Sequence, residues 1–229
     1  MKKETALEKI SHPTLADFSV AVAKMALSPA AELIDLVIAT PMSKRKDAFI
    51  SDINERLTKM ESEKTDFTIE SLKDDDIFHT VIINAIRAAI ATHQKEKIEA
   101  LRNAVLNAAL KINIEENIQM MFLNYIDRLT PLHLLMLNFL QNPKKHCDDR
   151  NVKTDNIIIG GITNIVYQAV SWPKEVNGDV LEQIVKDLNT YGFINIDANA
   201  YRLNMSMSSV LSSHTTSLGN QFLKYITEP

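Results

Sequence analysis

The chain has 229 residues, 45% hydrophobic and 24% charged, which excludes an intrinsically disordered protein. Its 29 acidic and 25 basic side chains leave a net charge of −4, so no global field draws it to nucleic acid or to an anionic membrane. With Cys147 as its only cysteine it forms no intramolecular disulfide, and a reducing, cytoplasmic setting is expected.

The opening MKKETALEKISHP has two lysines without an apolar run behind them, so no secretory signal is expected there. All five glycines lie at position 160 or later. Tight hairpins usually need a residue at positive φ, so their absence before that point argues for helices. Ser28-Pro29, Thr40-Pro41 and Thr130-Pro131 each set a capping hydroxyl before a proline, a pattern that marks helix starts. The sequence thus predicts helices over 14–27, 29–39 and 41–61. Residues 15–39 are apolar but broken by Asp17, Lys24, Glu32 and Asp35, which reads as amphipathic packing or interfacial contact rather than a membrane span.

A polar connection at 62–75 precedes a run from 76 to 110 with no glycine or proline. Phe78, Ile82, Ala85 and Ala89 step by 4, 3 and 4 along it, and Leu101, Val105 and Ala108 resume the stepping. Between them His93–Lys97 is polar on every side, either an exposed turn of one helix or a break between two. Asn113 and Glu116 have capping-box spacing and predict a helix to Arg128. Further helices are expected at 131–141, 155–170 and 178–190, the last stopped by Gly192. Phe193–Ile196 and Tyr201–Leu203 flank the polar Asp197–Ala200 as a short hairpin would, and a helix over 216–226 ends the pattern. The expected fold is mainly α: a helical bundle over 1–129, then a winged-helix-like module with a short β-hairpin over 130–229.

Two resemblances accompany this order of segments. Ala30-Ala31-Glu32-Leu33 leading to Pro41-Met42-Ser43-Lys44-Arg45-Lys46, the run Lys97–Ala109, and Gln119–Asn124 together resemble a family of uncharacterised bacterial helical proteins along nearly the whole chain. Leu129-Thr130-Pro131-Leu132 and Thr216-Ser217-Leu218-Gly219-Asn220-Gln221-Phe222-Leu223 look like the C-terminal segments of the Abi-alpha family, linked to phage abortive infection. These resemblances imply a bacterial protein with a phage-defence connection, and they carry over no catalytic residue.

The residues themselves suggest little chemistry. His146-Cys147-Asp148-Asp149 has metal-ligand residue types but at consecutive positions, and it reads as a polar loop. Asp74-Asp75-Asp76 reads as a helix-start charge cluster, and Gly160-Gly161 as a packing or kink element without a phosphate-loop pattern. No catalytic residue, metal ligand or cofactor is assigned, and no small-molecule substrate is identified. The candidate contact residues are Lys44, Arg45 and Lys46, placed by the expected start at Pro41 in a first helical turn, where the macrodipole disfavours cations. In the winged-helix-like module, the third helix holds Asp179, Glu182 and Asp187 against Lys186, the wrong sign for phosphate contact. Its Val180, Leu181, Ile184, Val185 and Leu188 are expected to face a core. The expected function is therefore non-enzymatic, with a protein partner or a second copy of the chain as ligand. A DNA-binding regulator and a membrane effector acting through residues 15–39 are the alternatives.

Overall fold

A computed structural model describes residues 29–154 and 159–229, with side chains from residue 41 onward. The helix expected over 14–27 lies outside the described residues. The chain divides into two compact units, Met1–Asp47 and Ala48–Pro229, and their boundary falls inside the first described helix. The described residues are mainly helical, with eleven α-helices and one two-stranded antiparallel sheet near the C-terminus.

Helix α1 runs unbroken over Pro29–Glu63, with Pro41 inside it rather than opening a second helix. Proline withholds one N–H from the helical ladder and costs about 3 kcal/mol in a helix interior. The helix-favouring residues on both sides outweigh that loss. Lys44, Arg45 and Lys46 consequently sit mid-helix, and the expected conflict with the helix dipole does not arise.

In the second unit the polar connection contains a 3₁₀ turn, Ile69–Leu72, with Phe67 and Leu72 buried beside it. Helices α2 (Asp76–Ala91) and α3 (Lys95–Ala109) follow. The long glycine-free run is thus two helices, broken where the Thr92 hydroxyl accepts the Gln94 N–H at 3.1 Å. Asp75 caps α2 by accepting the Phe78 N–H at 2.9 Å, and its carboxylate lies 3.3 Å from Lys111 Nζ. The Phe78 hydrogen bond, with Lys111 adding to it, holds the Asp75 carboxyl below its ordinary value. A depressed carboxyl contributes stability above the unfolded-state pKa and loses it as pH falls through the folded value. Asp75→Ala is therefore expected to cost about 1 kcal/mol at pH 7. The cost should shrink as pH falls below the ordinary carboxylate range, as urea denaturation at several pH values would register.

Helix α3 is buried almost all round, from Ala100 and Leu101 through Asn103–Ala109, as a central helix must be. It packs on α2, on α4 (Glu116–Arg128) and on the last helix, α11 (Ser217–Ile226). Helix α4 starts two residues later than Asn113 would place it, because Glu115 supplies the cap to the Ile118 N–H and Ile114 is held against the core. Residue 129, the expected boundary, lies inside the second unit, and one core runs across it.

Helix α5 (Pro131–Gln141) begins as expected at Thr130. Asn142 then caps a short helix α6, Pro143–Asp149, where a loop was expected. Strand β1 (Ile159–Gly161), α7 (Ile162–Ala169) and α8 (Gly178–Thr190) follow, so the segment expected as one helix over 155–170 is part strand. The sheet pairs β1 with β2 (Asn204–Ser206) in the register Gly160 to Met205. The order here is α5, α6, β1, α7, α8, one further short helix, β2, and its two strands are not the hairpin expected at 193–203. Asp197 accepts the Ala200 N–H at 2.8 Å and starts helix α9 (Ala198–Arg202), while Ile194 makes a single bridge to Thr215. Without a glycine for the tight turn, the two alanines favour that helix. Helix α10 (Met207–Val210) leads to α11.

Candidate functional site

Alpha helices α1 and α2 bury Phe49, Ile53, Leu57 and Met60 on one side and Phe78, Val81, Ala85 and Ala89 on the other. These are spaced as single helical stripes, and their burial fixes both helices in the core. Each helix, however, carries more apolar positions than its stripe uses. Ile50 on α1 and Ile77 and Ile83 on α2 are 40%, 38% and 57% exposed.

Between the two helices and the 3₁₀ turn lies an open groove of about 320 Å³. Ile50, Ile53, Leu57, Leu72, Ile82 and Ile86 make most of its wall. Its polar members are Asn54, Lys73 and His79, and the Lys73 ammonium is 2.7 Å from Glu70, an exposed pair. Such a pair contributes about 0–1 kcal/mol, whereas each aliphatic side chain newly buried contributes about 1.5–3 kcal/mol. Apolar contact therefore dominates what this groove can do.

Acidic charge gathers in and beside the segment that joins the two helices, outside the groove wall. Residues 61–76 hold seven acidic side chains and two basic ones. Glu61, Glu70, Asp74 and Asp76 among them are exposed. Glu61 is fixed there by the Ile69 N–H, which donates to its Oε1 at 2.7 Å.

On the other flank of α1 a charge web joins it to α3. Arg56 meets the Glu99 carboxylate with both terminal nitrogens, at 2.7 and 3.0 Å, and Arg102 Nε lies 2.5 Å from Asp52. Burial pushes the Glu99 carboxyl up, but Arg56 and Arg102 outweigh it and hold the group below its ordinary value. A recess of about 600 Å³ beside this web is lined by Asp52, Arg56 and Glu99, whose charges pair with one another.

The other sequence candidates are dispersed. Lys44 and Lys46 are exposed and Arg45 is half-buried on α1. Cys147 is buried on α6, and burial pushes its thiol up, away from a reactive thiolate. Its neighbours Asp148 and Asp149 are exposed, because consecutive helical residues point about 100° apart. Among the described residues no group of three or more His, Cys, Asp and Glu side chains is disposed to hold a metal ion.

His133 Nδ1 accepts the Thr130 N–H at 3.2 Å, so Nε2 carries the hydrogen and lies 3.2 Å from Asp187 on α8. That histidine ties a helix start to a neighbouring helix. On α8, Leu181, Ile184, Val185 and Leu188 are buried as expected, but Val180 is 38% exposed. Glu182 there pairs with Lys186 and Arg202. No described helix is long and apolar enough to cross a membrane.

Comparison of the chain with protein-family models, curated proteins and solved structures finds no match. The groove itself escaped sequence reasoning, because its walls come from segments on either side of a connection read as polar. The available signal was surplus: Ile82 and Ile83 are adjacent, so one stripe cannot bury both.

Proposed function

We propose that this is a non-enzymatic bacterial protein that works by contact, taking the apolar face of an amphipathic helix into the groove between α1 and α2. The observation that carries this is the apolar wall of Ile50, Ile53, Leu57, Ile82 and Ile86, in which Ile50 is 40% exposed and few polar groups stand beside it. A helix presenting side chains at i, i+4 and i+7 matches such a cleft. The exposed Glu61, Glu70, Asp74 and Asp76, in and beside the segment that joins the two helices though outside the groove wall, favour a helix with basic residues at that end. The segments that resemble the Abi-alpha family support a setting in defence against phage.

The test is fluorescence anisotropy with a labelled synthetic helix that has leucines on one face and lysines at one end. Wild-type protein is expected to bind it, and Ile50→Glu, at a 40% exposed position, to weaken binding at least about tenfold while keeping the helical circular dichroism. Equal affinity of the two proteins for the peptide would refute the proposal.

A further inference from the structure

Asn177-Gly178 is the one place in the 229 residues where an asparagine precedes a glycine. Both residues are exposed at the start of α8. Asn177 is the N-cap, at φ −99° and ψ 178°, and its Oδ1 accepts the Val180 N–H at 3.1 Å. Its own carbonyl accepts the Leu181 N–H at 3.1 Å. The Gly178 N–H belongs to the first helical turn, where it has no intrahelical partner.

The fold does not require glycine at 178. Its φ is not positive, as that of Gly192 is. A Cβ added there would meet only Tyr167 Oη at 3.8 Å, an ordinary contact. Glycine also weakens a helix relative to alanine. What it contributes is a backbone nitrogen that no side chain shields, next to a side-chain amide.

We infer that Asn177 is a site of spontaneous covalent modification, in which the Gly178 nitrogen attacks the Asn177 side chain. That nitrogen gives its proton to solvent and bonds to Asn177 Cγ. The Cγ–Nδ2 bond breaks, Nδ2 takes a proton from solvent, and ammonia leaves a five-membered succinimide behind. Water then opens the ring at either carbonyl, giving aspartate or isoaspartate. The Val180 N–H faces Oδ1, where negative charge develops as the nitrogen adds, and the positive end of the helix favours that charge. Ring closure needs a turn about the Asn177 Cα–C bond, which fraying of the first helical turn supplies.

The two products act differently on α8. Aspartate still accepts the Val180 N–H and adds a negative charge where the helix end favours one. Isoaspartate routes the main chain through Cβ and Cγ, so the carbonyl that accepts the Leu181 N–H becomes a side carboxylate and the helix start loosens.

Peptide mapping by mass spectrometry tests this on the folded full chain, held warm at neutral pH for several weeks. The tryptic peptide Glu175–Lys186 has Asn177 as its only asparagine. It is expected to gain the mass of an amide turned into an acid and to separate into aspartate and isoaspartate forms. The attacking nitrogen must shed its proton, so the gain should be faster at alkaline than at acid pH. One neutral amide becomes one carboxylate, so isoelectric focusing should show the net charge moving from −4 to −5. Gly178→Ala, which the site accommodates, is expected to lose the mass gain over the same period while keeping its helical circular dichroism. An unchanged peptide from the folded wild-type chain overturns the inference. So does a Gly178→Ala chain that converts as fast as wild type, or a product with no isoaspartate, which direct hydrolysis would give.

Discussion

Gly219→Ala is expected to lower the melting temperature by about 6–12 °C, the equivalent of about 3 kcal/mol in a domain of this size. On helix propensity alone the sign would be opposite, since alanine in a helix is better than glycine by about 1 kcal/mol. The neighbour decides. A Cβ at 219 would lie 2.2 Å from the Phe193 carbonyl oxygen and 3.0 Å from its carbon, and both are backbone. No side chain can swing aside to make room.

The contact cannot be relaxed cheaply either. The Thr216 N–H donates to the same Phe193 carbonyl at 2.9 Å, the Thr216 hydroxyl donates to the Gly192 carbonyl at 2.6 Å, and the Phe193 and Phe222 rings stack at 4.6 Å. Moving α11 away breaks all three. Thermal unfolding followed by circular dichroism checks this, and an unchanged or higher melting temperature would show that α11 does not approach Phe193 so closely.

The second large effect concerns Asn107, 3% exposed on α3. Its Nδ2 donates to the carbonyls of Tyr225 at 3.0 Å and Thr227 at 2.8 Å, with Lys224 at 3.4 Å. One turn earlier, Asn103 Nδ2 donates to the Ile226 carbonyl at 2.9 Å. The last carbonyls of a helix have no partner within it, so these two amides serve as the C-terminal cap of α11. Asn107→Ala leaves the buried Tyr225 carbonyl and its part-buried neighbours without this partner and is expected to cost about 1–3 kcal/mol.

Asn107→Asp is worse at neutral pH, about 3–5 kcal/mol, because a carboxylate then faces carbonyl oxygens in a buried site. Burial raises the pKa of such a carboxyl, so the folded state gains relative stability as acid protonates it. The Asp variant should therefore approach the Ala variant at low pH. Urea midpoints of the three proteins at neutral and acid pH measure the difference, and equal midpoints for Ala and Asp at pH 7 would contradict the capping role.

The sequence was readable wherever a local cap and a periodic stripe agreed. Thr130-Pro131 opens α5, Asn177 caps α8 with its side chain on the Val180 N–H, Gly192 ends the following turn at φ 73°, and Thr216 caps α11. It misled where one local signal met a longer-range demand. Thr40-Pro41 looks like a start, yet α1 continues through it. Asp197 was read as a turn residue, yet its carboxylate caps α9. The strand at Ile159–Gly161 was hidden because its partner, Asn204–Ser206, lies beyond α7, α8 and α9.

The site was less legible than the fold. Lys44, Arg45 and Lys46 were singled out from a helix start that does not exist, because Pro41 lies inside α1. The groove depends on how α1 packs across α2, which no spacing within either helix encodes. Asn103 and Asn107 looked like ordinary polar positions in a helix, because the carbonyls they serve lie more than a hundred residues away in the chain.

The most direct measurement is methyl NMR of isoleucine-labelled protein titrated with the synthetic basic-ended helix. If the groove between α1 and α2 is the contact surface, shifts are expected at Ile50, Ile53, Ile82 and Ile86, while Ile162 and Ile165 on α7 stay still. Shifts confined to Ile159, Ile162 and Ile165, or no shifts at any isoleucine, would contradict it.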